Sequence, residues 1–457
     1  MRVVSVEKGG SNTSKEQGSE STVSRSQSIK EDEMAKEEEA PKRVSRRQFV
    51  KGAAVGGAGV AAAGMLASCA PAATPAPAPT CPPAPTCPPA EECAPCATPW
   101  IPTTWDEEAD VVIAGYGSAG MPAAIEAYDA GAKVLIMEKA DWLGGNMRRC
   151  GGGIAQAGTI VQKALGVEDN PDLFYEFMLA AGEGLVDPEL LRAFANNDMV
   201  DWVIEGLGGQ PVSEWEICET ISGGPGLNVS AFPVALEYLA EYGMEPVLRS
   251  HWFTKDPAQE GTFRGGMDPP GGTGVFKTVH AALQERGITP MTETYITQLI
   301  ATPEREVLGV KAVSGTTEMF IKAKRGVILG TGGFWTNKKM AKNFWPDEDQ
   351  GDQGQSPPAD GEATAAAMAL GADNTFIGVG AGGMGTGGQN AGGGLKINTK
   401  AQVIDVYGEP IPRLYASGRT TGGIVGLQYP HCGIWLASAM WFGRMGGKNA
   451  AAEEPWA

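Results

Sequence analysis

Polar and apolar positions divide this chain into two unlike parts. Residues 1–44 are charged and serine-rich, a composition that cannot bury enough surface to fold. Large apolar side chains become regular only from Trp105 onward. The first run, Ala109-Asp-Val-Val-Ile-Ala114, predicts a short buried strand. Gly115-Tyr-Gly117-Ser118-Ala119-Gly120 follows as a turn, and Met121 to Ala130 as a helix. The next apolar run, Lys133-Val-Leu-Ile-Met137, ends on Glu138. Strand, glycine turn, helix and strand predict an α/β fold of Rossmann type with a parallel sheet. Gly326-Val-Ile-Leu-Gly330 predicts a further strand, and residues 291–326 a smaller β-rich section.

Charge narrows the partners. The net charge is −18. Up to Ser68 there are 11 Lys+Arg against 9 Asp+Glu, which leaves 25 against 45 for the remainder. A body that acidic repels phosphate backbones and carries no basic stripe, so nucleic acid is not an expected partner. Only His251, His280 and His431 are present, too few for a histidine-built metal centre, and no metal is expected. The 64 glycines point to tight turns and to backbone lying close to a ligand.

Ser45-Arg46-Arg47-Gln48-Phe49-Val50-Lys51 resembles a twin-arginine export signal, departing at Val50. The weakly apolar Gly/Ala run behind it is shorter than the ~20 residues a spanning helix needs, and reads as a signal core. A basic patch before a short core helix is the alternative, but the stretch lacks helical apolar periodicity. Leu66-Ala67-Ser68-Cys69 resembles a lipoprotein cleavage site, making Cys69 the expected lipid anchor; plain cleavage is the alternative. The expected location is therefore outside the cytoplasmic membrane, on its outer face or in the periplasm. A route that carries folded proteins suits a chain that must trap its cofactor before export. Pro-rich residues 69–105 read as an extended tether. Its Cys81, Cys87, Cys93 and Cys96 read first as disulfides, with a metal clip left open. Cys93-Ala-Pro-Cys96 is followed by Ala97 rather than histidine, so it is not a haem attachment site.

The first glycine motif carries chemistry. Gly115 makes the tight turn, Gly117 admits a pyrophosphate to the backbone, and Gly120 lets helix pack on strand. The helix start, with Ser118 and Ala119 leading into it, presents unpaired N–H groups to phosphate. Glu138, 23 residues after Gly115, is placed to accept ribose hydroxyls. Gly380-Ala-Gly-Gly-Met-Gly385 fits the same spacing, but no helical run follows it, so it reads as a loop.

Later segments make the pattern specific. Lys139 precedes Leu143-Gly144-Gly145-Asn146 and Gly151-Gly152-Gly153; Thr331-Gly332-Gly333 and Leu414-Tyr-Ala-Ser-Gly418-Arg419 follow far downstream. In this order they resemble the flavoprotein superfamily of FAD-dependent fumarate reductases and 3-ketosteroid 1-dehydrogenases, over nearly all of residues 106–457. The resemblance implies FAD. It places Lys139, Gly145, Asn146, Gly152 and Gly153 along the cofactor and the Ile296 backbone at the adenine. Thr331, Gly332 and Gly333 approach the dinucleotide, Gly418 and Arg419 the ribityl chain, and Ile434 and Trp435 open a helix aimed at the flavin. Arg419 stands where the family carries glutamate or asparagine.

At the reacting face, the family's fumarate-binding histidine and arginine positions fall on Asn390 and Tyr429. Without those cations a C4 dicarboxylate loses its charge-assisted bonds. Tyr429-Pro430-His431-Cys432-Gly433 instead resembles the ketosteroid dehydrogenase segment in which a tyrosine hydroxyl and a glycine N–H hold a carbonyl oxygen. The expected catalytic set is Tyr429, Gly433 and Asn390; a packed aromatic beside a turn is the alternative for Tyr429. The family's usual cap domain is absent by this reading, and residues 211–262 are longer than their counterpart. Their Trp215, Phe232, Tyr238, Tyr242, Trp252 and Phe253 either cover the substrate or pack in the core. The expected organisation is a signal region 1–68, tether 69–105, FAD domain 106–210, insert 211–262, and the rest of the FAD domain 263–457. The expected activity is oxidoreduction of a C–C or C=C bond beside a carbonyl on an apolar or aromatic substrate. A quinone pool or a cytochrome would serve as external electron carrier. A catalytically degenerate FAD protein of the envelope is the alternative.

Overall fold

The computed structural model describes residues 101–217, 226–228, 240–253, 272–334, 336–340, 360–376, 393–426 and 430–456. The signal and tether (Arg46, Arg47, Cys69, Cys81, Cys87, Cys93 and Cys96), the Gly380–Gly385 motif, Phe232, Tyr238, Asn390 and Tyr429 lie outside these residues.

β1 (Glu107–Ala114) is an inner strand of the main sheet, with Val111, Val112 and Ile113 fully buried. Such a run is buried on both faces in parallel sheets. α1 (Gly120–Asp129) returns the chain to β2 (Val134–Met137), which lies parallel beside β1. Pro122 is tolerated in α1 because it occupies the first turn, where its missing N–H has no partner to lose. The chain then forms α2 (Gly145–Arg149), β3 (Gly153–Ala155) and α3 (Ile160–Ala164). A capping box between Thr159 and Gln162 starts α3. α4 (Pro171–Ala181) and α5 (Pro188–Ala195) each begin with proline behind a capping Asn170 or Asp187.

β4 (Gly226–Asn228) and β5 (Ser250–Trp252) join β3 in a small antiparallel sheet, with β5 in the centre. Ser250–Trp252, within the expected insert 211–262, are therefore tied directly to β3. Trp215, Trp252 and Phe253 are buried, with Trp215 edge-on to both His251 and Phe253. For these three aromatics core packing is the outcome, whereas Tyr242 is exposed. His251 is locked by chemistry: Nδ1–H donates to the Arg249 and Ile154 carbonyls, and Nε2 accepts from the Thr159 hydroxyl at 2.9 Å. Beside it, the buried pair Arg249–Asp169 is bidentate, at 2.7 and 2.8 Å.

After α6 (Gly272–Glu285) come β6 (Thr294–Ala301), β7 (Val307–Ser314) and β8 (Thr317–Leu329). The expected β-rich section is these three strands, which continue into the main sheet through β8. β8 is 13 residues long; its first half pairs antiparallel with β7, and its second half runs parallel to β1. α7 (Glu362–Ala369), β9 (Asn374–Phe376), β10 (Gly393–Leu395), β11 (Gln402–Ile404) and β12 (Pro410–Ala416) precede the final α8 (Ile434–Ala452). The central order is β11-β12-β8-β1-β2, with β12, β8, β1 and β2 parallel. α8 packs on α1 through glycines: a Cβ at Gly443 would sit 2.2 Å from the Ala119 carbonyl oxygen, and one at Gly447 2.2 Å from that of Ala123.

Candidate FAD site

Four parallel strands end level with one another. Ala114 is in register with both Met137 and Leu329, and Leu329 with Ala416. The residues that follow these ends are therefore brought to one edge: Gly115 after β1, Glu138 after β2, Thr331–Gly333 after β8 and Gly418–Arg419 after β12. Ligands of open α/β sheets bind at this carboxyl edge.

The first turn is built for close approach. Gly115 has φ +100°, and a Cβ there would lie 2.3 Å from the Gly330 carbonyl oxygen. A Cβ on Gly120 would collide with the Gly115 carbonyl, so helix and strand touch as expected. Ala119 is buried and Ser118 half-buried ahead of α1, whose start has no side-chain cap and no acid in its first turn. Glu138 Oε2 accepts the Tyr116 N–H and Oε1 the Ala140 N–H, both at 2.9 Å. Burial pushes the Glu138 carboxyl above its ordinary value, and those two N–H bonds work against the shift.

The second segment meets the first through the Gly144 N–H, which donates to the Tyr116 carbonyl at 3.0 Å. A Cβ on Gly117 would meet only the Gly144 oxygen, at 3.9 Å, and one on Gly145 nothing within 4 Å. Space is left between the two glycine turns where a pyrophosphate would lie. Asn146 is in the first turn of α2. Gly152 has φ +82°, and Gly153 begins β3. The Thr294 N–H donates to the Glu138 carbonyl at 2.9 Å, which sets Ile296 two residues along the strand that leaves Glu138. The Gly332 N–H donates to Thr420 Oγ1 at 3.1 Å, joining the third and fourth segments. Thr331 Oγ1 is buried with no hydrogen-bond partner among the described residues. An orphaned hydroxyl beside an open glycine cradle and an uncapped helix start fits a dinucleotide.

Lys139 is placed differently from its neighbours. Its ammonium donates to Asp360 at 2.5 Å and Glu362 at 2.8 Å, and lies over the Tyr295 ring. Burial lowers its pKa, and the two carboxylates more than offset this. It ties α7 to the end of β2.

Gly433, at φ +91°, starts α8, and a Cβ there would sit 2.8 Å from both Gly153 C and Ala155 N. Ile434 and Trp435 are buried in the first turn, which again has no side-chain cap and no acid. Arg419 lies with its guanidinium 5.9 Å from the Trp435 ring centroid. His431 is buried, and its Nδ1–H donates to the Cys432 carbonyl at 2.7 Å. The structure thus gathers Gly115, Gly117, Ser118, Ala119, Gly120, Glu138, Gly145, Asn146, Thr331, Gly332, Gly333, Gly418 and Arg419 around one edge. Gly152, Gly153, Gly433, Ile434 and Trp435 close one side.

Sequence reading missed three groups. The Tyr116 hydroxyl and His280 Nδ1 share a hydrogen bond of 2.8 Å, and His280 stacks on Phe276. Thr420 bridges two cofactor segments. Cys150, just before the glycine triplet, and Cys432 are free thiols; burial pushes both up, Cys432 to about 12.

Residues 110–376 match the family described as FAD binding domain. The chain is 29% identical over 240 residues to NADH:fumarate oxidoreductase of Klebsiella pneumoniae, which covers 52% of this chain and 22% of that protein. It is 26% identical over 285 residues to 3-oxosteroid 1-dehydrogenase of Mycolicibacterium smegmatis, covering 52% of this chain and 49% of that protein. The chain spans less than half the length of the curated relatives it matches. Its fold matches 3-ketosteroid-Δ4-(5α)-dehydrogenase of Rhodococcus jostii with a TM-score of 0.63 at 23% identity, over 77% of this chain and 98% of that one. The chain belongs to the FAD binding domain family, among flavoproteins whose members include fumarate reductases and 3-ketosteroid dehydrogenases, and FAD is its cofactor.

Proposed function

We propose that this chain is an exported FAD-dependent oxidoreductase acting on a C–C or C=C bond adjacent to a carbonyl, on an apolar or aromatic substrate. The observation that carries the reading is the start of α8 against β3. Gly433 brings an uncapped helix end, free of acidic residues in its first turn, onto the Gly153 backbone beside the FAD segments. Bound FAD supplies a two-electron acceptor and donor. The helix end favours negative charge on whatever lies in front of it. Tyr429 and the Gly433 N–H are assigned to the substrate carbonyl oxygen, where they stabilise the charge that gathers as a proton is taken from, or given to, the adjacent carbon. Asn390 completes the substrate side, where its amide carries no charge to bind a dicarboxylate.

The leader places the protein outside the cytoplasmic membrane, exported folded by the twin-arginine route and held by lipid at Cys69. A quinone pool or a cytochrome would exchange electrons with it there. Turnover of an enone and enoate panel, with reduced viologen as donor, tests the reading through product analysis by NMR. Hydrogen added across the conjugated C=C bond is expected. Reduction of the carbonyl to an alcohol, with the C=C intact, would sink it.

A further inference from the structure

Arg419 and its two neighbours touch three of the segments assigned to the cofactor. Gly418, before it, would place a Cβ 3.2 Å from that of Ala119, at the start of α1. Thr420, after it, is bonded to Gly332 in the turn behind β8. Its guanidinium lies 5.9 Å from the ring of Trp435, in the first turn of α8, and its Nη1 is shut off from solvent. Its charge also reaches Cys150, just before the glycine triplet, where it favours the ionised form against the larger effect of burial.

Two sources of positive potential therefore converge on one place. α8 is 19 residues long and begins without a side-chain cap or an acid in its first turn, so its amino end carries the dipole's partial positive charge. A guanidinium stays protonated at any relevant pH. Bringing a cation to the positive end of a helix costs electrostatic energy wherever solvent is excluded, and it lowers the energy of an anion placed between the two. FAD becomes such a group on reduction, when negative charge appears at the pyrimidine edge of the flavin.

We propose that Arg419 is a positioning residue for electrons: with the start of α8 it holds the reduced flavin in its anionic form and raises the flavin's reduction potential. This rests on the proposed oxidoreductase reading and deepens it, because a raised potential makes the flavin ready to accept a pair of electrons from substrate or from the external carrier. Two electrons and one proton enter the oxidised flavin. The second proton stays in solution because the anion is stabilised in place.

The test is spectroelectrochemical titration of the FAD-loaded full chain between pH 6 and 9, where about 30 mV corresponds to a tenfold change for two electrons. In the wild type the midpoint should fall by about 30 mV per pH unit, one proton for two electrons. In Arg419→Gln the midpoint should drop by about 30 mV or more, a tenfold change in the equilibrium, with a steeper pH slope. Arg419→Met, which keeps the stem against Trp435, should behave alike, and Arg419→Lys should keep most of the wild-type potential. A neutral variant that binds FAD with unchanged midpoint and slope overturns the proposal. So does a neutral variant that folds but loses FAD, since Arg419 then holds the cofactor rather than tuning it. A wild-type chain that takes up no FAD overturns instead the cofactor assignment beneath it.

Discussion

The Tyr116 N–H donates to Glu138 Oε2 at 2.9 Å, so the glycine turn after β1 and the acid after β2 form one rigid unit. Glu138 thus holds the turn expected to take the pyrophosphate, and itself stands where the ribose is expected. Glu138→Ala should lose both, raising the FAD dissociation constant at least tenfold, while Glu138→Gln, which still accepts, should lose less. Fluorescence of released flavin on dilution reads the difference. Equal affinity in all three proteins would remove Glu138 from the site.

His251 makes a pH prediction. Burial lowers its pKa from 6.5 to about 4, and its bonds to Arg249 and Ile154 only partly resist. The unfolded chain binds the proton near 6.5 and the folded chain only near 4. Stability is therefore full above pH 6.5, falls as the pH drops toward 4, and levels off below. The linkage amounts to about 3 kcal/mol for this one group. Urea denaturation of wild type and His251→Asn at pH 7 and pH 5 should show a shallower loss in the variant. Parallel losses would show that other groups govern acid sensitivity.

The contact of Gly443 with the Ala119 carbonyl predicts a packing cost. Gly443→Ala puts a methyl where 2.2 Å separates it from backbone oxygen, so α8 must move away from α1. A loss of about 1–3 kcal/mol is expected. Because Ala119 leads into the phosphate-facing turn, FAD retention should weaken with it. Thermal melts with and without added FAD measure both, and a variant as stable as wild type would contradict the packing.

The leader has its own test. Replacing Arg46 and Arg47 with lysine should strand the precursor in the cytoplasm, and Cys69→Ala should abolish lipid labelling. Normal delivery of the double variant would mean that another route carries this protein.

Much of the cofactor edge was readable because its signals are local. A β-branched run, three glycines and an acid at the end of the next strand lie within 32 residues, Ala109 to Ala140, and each has one geometric use. The parallel strands then put later motifs level with the first. What was not readable depends on partners distant in sequence. Nothing near Tyr116 announces His280, 164 residues away, and nothing near Gly332 announces Thr420. Lys322, Lys324 and Arg325 lie within β8. The structure absorbs these charges: Lys322 and Lys324 meet Glu108, and Arg325 meets Asp110. The aromatics of residues 211–262 carry no period that separates a cover from a core. The burial of Trp252 follows from the pairing of β5 with β3.

The central claim is that FAD in this edge exchanges an electron pair with a bond conjugated to a carbonyl. Anaerobic stopped-flow absorbance of the flavin tests it most directly. Fully reduced protein is mixed with each member of an enone and enoate panel, and oxidised protein with the saturated ketones. At least one partner should restore or bleach the flavin band in a single two-electron phase. Tyr429→Phe should slow that phase roughly a hundredfold, the typical cost of losing one oxyanion donor, with FAD content unchanged. A flavin that binds fully, yet responds to no compound in either direction, would contradict the account.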